Sequence, residues 1–167
     1  RMGILTGDMK RVVRELRLGF MATVCPDGTP NLSPKGTIAV WDDDHLVFAD
    51  LASPGTMANL RTNPAIEINV VDPFLRKGYR FKGAAAILSE GPLFEQVLDS
   101  YKRDRVVQRL AGSIRSIVMV KVTQALPLVS PAYTPGVTEE QVRAQWEMYW
   151  GRVTEQYHAR PRDKAAT

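Results

Sequence analysis

The sequence predicts a mainly β, α+β domain: a small six-stranded antiparallel barrel with peripheral helices. Three observations carry that prediction. A run of short apolar or alternating segments is separated by Pro, Gly and Asp turns, as in a meander of antiparallel strands. The helical periodicity is confined to short segments between or beyond the strands. The composition is that of a packed globular chain: 167 residues, 44% hydrophobic and 24% charged, enough for one domain with a terminal appendage. An α+β sandwich of the same elements satisfies the same periodicities, so the pattern alone leaves both open.

The elements follow in chain order. Met9, Val12, Val13 and Leu16 recur at helical spacing, which predicts a helix over 8–18 with Asp8 as its cap and Gly19 as its stop. Phe20 to Cys25 reads as a strand, and Pro26-Asp27-Gly28-Thr29 as a turn. Pro30 to Trp41 reads as one strand, interrupted early by Pro34, which cannot donate to a ladder. Asp42-Asp43-Asp44 is an exposed turn into the strand His45 to Asp50. Ser53-Pro54-Gly55 breaks the pattern before a short helix over Thr56 to Arg61, which Asn63-Pro64 ends. Ile66, Ile68 and Val70 alternate with polar residues in the next strand. Tyr79 to Leu88 is a strand rich in small residues, among them Gly83, which implies close approach by a backbone, a ligand or a second subunit. Pro92 opens a helix with Leu93, Phe94, Val97, Leu98 and Tyr101 on its apolar face. Arg115 to Thr123 completes the strands, and Pro127, Pro131, Pro135 and Gly136 mark an irregular connection. The last helix, Thr138 to Tyr157, bears an aromatic stripe that includes Trp146, Tyr149 and Trp150. Such a stripe packs on the barrel or on a second subunit, or covers a ligand. The tail from Ala159 to Thr167 is expected to fray. The predicted division is a barrel domain over 1–128 and a C-terminal extension over 129–167.

Charge and reactive residues narrow the function classes. Twenty-two Lys and Arg against eighteen Asp and Glu leave a net charge of +4, compatible with an anionic ligand and too small to demand nucleic acid. The one cysteine, Cys25, and the two histidines, His45 and His158, argue against an internal disulfide or a Cys- or His-based metal site. No apolar run approaches the roughly 20 residues of a membrane span. Arg1-Met2-Gly3 shows no leader pattern, so a cytoplasmic location is expected. The phosphate-loop, dinucleotide and hydrolase motifs are absent.

Two stretches carry chemistry. In Asn31-Leu32-Ser33-Pro34-Lys35-Gly36-Thr37, the Ser33 hydroxyl and the Lys35 ammonium stand beside Gly36, which admits close approach to a phosphate or a heteroaromatic edge. In the second, a strand ending at Ala49-Asp50 runs through Ser53 and Thr56 into a helix start. Free N–H groups and hydroxyls there suit a phosphate, although Ser53 serves equally well as an ordinary N-cap.

Taken in order, Gly-Phe-Met-Ala-Thr-Val from Gly19, Asp27-Gly28-Thr29-Pro30, the Lys35-Gly36 strand, Asn59-Leu60-Arg61-Thr62-Asn63-Pro64 and Arg80-Phe81-Lys82-Gly83 resemble the FMN-binding split β-barrel family related to pyridoxamine 5′-phosphate oxidase. The resemblance spans roughly residues 8 to 125. It implies a homodimer with FMN at the subunit interface and flavin-dependent oxidoreductase activity on an unidentified small molecule. It implies that Lys35, Ser53 and Thr56 lie toward the phosphate and that the backbone of Ala49 and Asp50 meets the ring; Arg80 matches the arginine of the family's later strand, or equally serves a strand-surface ion pair. Gly55 and Thr56 stand where many relatives carry basic residues. The phosphate seat therefore lacks a positive charge that Lys35, Arg61, Arg76, Lys77 or Arg80 would have to supply. The C-terminal arginine and histidine pattern of true pyridoxamine 5′-phosphate oxidases is also missing, which argues against that reaction. A non-catalytic flavin-binding or storage protein, and a barrel binding haem or a deazaflavin, are the alternatives.

Overall fold

The computed structural model describes residues 2–161. Its elements are α1 (Gly7–Leu16), β1 (Gly19–Val24), β2 (Pro30–Lys35), β3 (Ala39–Val40), β4 (His45–Asp50), α2 (Pro54–Thr62), β5 (Ala65–Asp72), β6 (Lys77–Leu88), α3 (Pro92–Arg103), a 3₁₀ turn (Gln108–Ser113), β7 (Ser116–Val129) and α4 (Glu139–Ala159). The chain divides into two compact units. Among the described residues, the first is 2–71 with 78–128, and the second is 72–77 with 129–161.

The first unit is a split barrel. Its sheet runs β2-β1-β5-β6-β7-β4-β3, seven strands where the sequence predicts six. The extra strand arises at Gly36 and Thr37, which turn the chain out of β2 and into β3. Two distant groups hold that turn: the Ala49 N–H donates to Thr37 Oγ1 at 3.0 Å, and the Tyr101 hydroxyl donates to the Thr37 carbonyl at 2.7 Å. β2 and β3 are the two edges of the sheet, yet only Gly36, Thr37 and Ile38 separate them. Such a link reaches at most about 14 Å, whereas the edges of a flat seven-stranded sheet would stand about 29 Å apart. The sheet must therefore curl. Pro34 is accommodated because β2 is an edge strand.

Met21, Leu46, Phe48, Ile68, Val70, Phe81, Val118 and Val120 fill the barrel interior, and α1 adds Val12 and Val13. The continuous apolar centre of β4 reflects burial on both faces. Leu46 and Phe48 enter the barrel, while Val47 and Ala49 pack with Phe94, Val97 and Tyr101 of α3. Burial raises the Tyr101 phenol above its ordinary value of about 10. A group raised on folding contributes stability that is complete below its unfolded value and lost as pH rises beyond it. Alkaline titration of the wild type should therefore show extra destabilisation above about pH 10, which Tyr101→Phe removes. At neutral pH the same substitution leaves the Thr37 carbonyl without this donor and should cost about 1–2 kcal/mol in urea unfolding.

Local signals differ from expectation at two elements, α1 and β7. Thr6, not Asp8, caps α1 by accepting from the Met9 N–H at 3.3 Å, and Arg17, in the left-handed region at φ 50, ends it before Gly19. Asp8 is occupied by the Tyr79 hydroxyl and by Arg11. β7 runs through Pro127 to Val129 rather than stopping at Thr123. The small residues of β6 answer to a close backbone: a Cβ on Gly83 would fall far inside contact with the Lys121 carbonyl oxygen.

In the second unit, Asp72 Oδ1 accepts from the Phe74 and Leu75 N–H groups, and the Ser130 N–H donates to the Arg76 carbonyl at 3.0 Å. Thr138 and Gln141 form a reciprocal capping box at the start of α4. On its aromatic stripe Val142 is buried, whereas Tyr149 and Tyr157 are exposed. The frayed tail expected from residue 159 lies largely outside the described residues; α4 itself extends to Ala159.

Candidate phosphate-binding cleft

The α2 start is built by register. β4 pairs with β7 so that Asp50 faces Ser116, and the Arg115 N–H donates to the Asp50 carbonyl at 3.2 Å. The β4 end and the β7 start thus lie side by side just before α2. A cleft of about 450 Å³ opens there, lined in part by Asp50, Ser53, Arg61, Ser89, Arg115 and Ser116. Arg61 and Arg115 are both exposed, and neither joins an ion pair among the described residues.

Three of the sequence-predicted residues converge here. Lys35 is buried at 9% exposure, and its ammonium donates to the Ser53 hydroxyl. The Ser53 N–H donates to Asp50 Oδ1 at 3.3 Å. Burial pushes the Lys35 ammonium below the usual lysine value, and the Asp50 charge restores part of the loss. Ser53 occupies the N-cap position but makes no side-chain cap bond. The Gly55 and Thr56 N–H groups consequently stand in the first turn with no intrahelical acceptor.

The other candidates are placed elsewhere. Thr56 is buried beneath α2, its hydroxyl accepting from Asn31 Nδ2 at 3.3 Å. Asn31 and Asn59 also reach Thr23 Oγ1, at 3.3 and 3.0 Å, so a polar network fastens α2 to β1 and β2. Ala49 is buried against α3, with its N–H given to Thr37. Ser33 lies mid-strand opposite Met21, and Gly36 lies in the turn after β2. Arg80 pairs with Glu67 at 2.5 Å on the β5–β6 surface, where Lys82 approaches the same carboxylate at 3.5 Å. Lys77 is likewise engaged, by Glu139 at 2.7 Å.

Arg115, Ser116 and Ser89 are cleft residues that the sequence reading did not nominate. Arg115 had a visible signal, a cation at the head of a strand, but the register that sets it beside Asp50 is non-local. Two guanidinium groups and several hydroxyls form a donor set that fits a phosphate. Asp50 is the one acidic residue lining the cleft, and its Oδ1 is turned to the Ser53 N–H.

The family model described as pyridoxamine 5′-phosphate oxidase matches residues 5–124. No curated protein sequence matches the chain significantly. Among solved structures, HupZ from Group A Streptococcus is 30% identical, with a TM-score of 0.66 over 75% of this chain and 94% of that one. An FMN-binding protein from Syntrophomonas wolfei is 17% identical, with a TM-score of 0.63 over 75% of this chain and 87% of that one. HutZ from Vibrio cholerae, described as a haem storage protein, is 20% identical, with a TM-score of 0.59 over 75% of this chain and 94% of that one. The last two similarities establish the fold alone.

Proposed function

The chain belongs to the pyridoxamine 5′-phosphate oxidase family, and we propose that it binds FMN as a flavin-dependent oxidoreductase of small molecules. The observation that carries the reading is the pair of uncommitted guanidinium groups, Arg61 and Arg115, flanking the α2 start. They supply the positive charge that Gly55 and Thr56 do not. In this reading Arg61 and Arg115 hold the phosphate, and Lys35 positions Ser53 from behind. FMN, when bound, supplies hydride or electron transfer at its N5. A haem would call for an axial His, Cys, Tyr or Met. His45 is held by Asp42 at 2.8 Å in the turn before β4, neither histidine lines this cleft, and Met57, the one residue of that set that does, is buried at 2% exposure; the two guanidinium groups favour the phosphate ligand.

We place the second subunit on the outer face of β1 and β2. Register sets Phe20 opposite Pro34 and Ala22 opposite Leu32, and Phe20, Val24 and Leu32 are exposed at 39%, 37% and 64%. An apolar stripe of that kind on a soluble sheet face invites self-association. Leu32→Asp is expected to shift the protein from dimer to monomer in light scattering and to release the flavin with it.

The deciding experiment is the absorption spectrum of the purified protein, with identification of whatever denaturation releases. A flavin spectrum and released FMN support the reading. A haem or deazaflavin, or failure to bind added FMN, overturns it. Reduction of bound FMN by a nicotinamide donor, followed by reoxidation by an acceptor, supports the oxidoreductase; bound FMN without turnover returns the protein to a flavin carrier.

A further inference from the structure

The second unit contains a separate cleft that the flavin reading does not use. It measures about 540 Å³ and is lined in part by Arg76, Ser130, Val137, Val142, Gln145 and Trp146. Its central feature is Arg76, whose guanidinium carbon lies 3.5 Å from the Trp146 ring centroid. Stacking of this kind fixes the plane of the guanidinium while leaving its terminal N–H groups free to donate in that plane.

The backbone of Arg76 is held as firmly as its side chain. It sits in the left-handed region at φ 54, a conformation that costs a non-glycine residue energy and persists only where surrounding bonds impose it. Here the Arg76 N–H donates to the Asp72 carbonyl at 2.8 Å, and the Arg76 carbonyl accepts from Ser130 at 3.0 Å. The cation these bonds hold in place has no carboxylate partner among the described residues, and its Nε is buried without an acceptor. The adjacent Lys77 is in contrast neutralised by Glu139 and lies 4.3 Å from the Tyr133 ring centroid.

We propose that this cleft binds a small monocarboxylate, its carboxylate on the terminal nitrogens of Arg76 and its body against Trp146, Val137 and Val142. The planar fork of an arginine matches a carboxylate with two parallel bonds. One uncommitted cation balances one negative charge, whereas a phosphate dianion would bring a second charge with no partner. Val137 and Val142 suit an alkyl body. The Gln145 side chain makes no hydrogen bond among the described residues and can serve an amide or hydroxyl on the ligand.

The test is calorimetric titration of the full chain with 4-methylpentanoate and N-acetylleucine, alongside 4-methylpentanamide and inorganic phosphate, with tryptophan emission followed in parallel. At least one acid should bind saturably and alter the emission, with the neutral amide and phosphate weaker by about tenfold or more. Arg76→Gln should lose about tenfold or more in affinity, and Arg76→Lys should lose less. Arg80→Gln, which removes the Glu67 pair on β6, should bind as the wild type does. Should Arg76→Gln fail to fold by circular dichroism, Gln145→Leu takes its place and should weaken N-acetylleucine more than 4-methylpentanoate. The proposal is overturned if neither acid binds below about 10 mM, if phosphate or the amide binds as tightly, or if the folded Arg76 variant binds as well as the wild type.

Discussion

Arg115→Ala is expected to weaken FMN binding by about tenfold or more, and Arg61→Ala/Arg115→Ala by about a hundredfold. A charge-assisted hydrogen bond contributes about 1.5–3 kcal/mol, and each 1.4 kcal/mol is a factor of ten in affinity. Both residues are exposed, where solvent screening brings each contribution toward the low end of that range. Screening has a second consequence: the wild-type affinity should fall with added salt, and the double variant should lose much of that dependence. Neither substitution should lower stability appreciably, because neither side chain is in an ion pair among the described residues. Fluorescence titration of apoprotein with FMN measures the effect. Arg11→Ala is the control, since Arg11 pairs with Asp8 and Glu15 on α1. If Arg115→Ala and Arg11→Ala bind FMN equally, the phosphate is not held in the α2 cleft.

The candidate cleft was legible in part because some of its chemistry is local. Ser53 and the α2 start stand within one loop, and the Ser-Pro-Gly break announces them. Lys35 could be singled out as a cation beside a glycine, but its contact with Ser53 spans 18 residues. Nothing nearby in sequence shows that the ammonium would point at the cap hydroxyl rather than at a ligand. Arg115 stayed hidden for a related reason. Its place is set by the pairing of Asp50 with Ser116, a register between strands with two helices between them in the chain. Arg80 shows the converse. A basic residue on a predicted strand suits a ligand or a surface ion pair equally, and the neighbouring strand decides it by bringing Glu67 across to pair with it.

The fold follows the same division. Periodicity marks strands and helices because each element hides one face, and it located every long element to within a few residues at most boundaries. It could not divide Pro30–Trp41, because the bonds that stabilise the bend at Thr37 come from Ala49 and from Tyr101, 64 residues away. Nor did it carry β7 past Thr123, where Pro127 argues locally against a strand. The helix cap at Thr6 rather than Asp8 was lost to a competing partner, the Tyr79 hydroxyl 71 residues along the chain.

Gly83→Ala is expected to destabilise the barrel by about 3 kcal/mol or more, or to prevent its folding, although it adds only one methyl group. The size of the effect comes from what surrounds the site. The added Cβ would point into the backbone of β7, inside contact with the Lys121 carbonyl oxygen and close to Val120 Cγ1 at 3.1 Å. A flexible side chain could swing away from such a clash, but a strand backbone moves only with its ladder. Lys121 pairs with His45 and Val120 with Leu46 in the β4 ladder, and Val120 is fully buried in the barrel interior. Relief therefore requires separating β6 from β7 or displacing the core, and overpacking that forces such shifts costs about 1–3 kcal/mol, occasionally more. Gly28→Ala is a useful contrast. Gly28 has a positive φ of 83 in the β1–β2 turn, with nothing within 4 Å of a Cβ placed there. Its replacement meets only backbone strain, about 1–2 kcal/mol. Urea unfolding of the two variants separates packing from conformation. A Gly83→Ala protein as stable as Gly28→Ala would mean that β6 and β7 do not approach closely at this point.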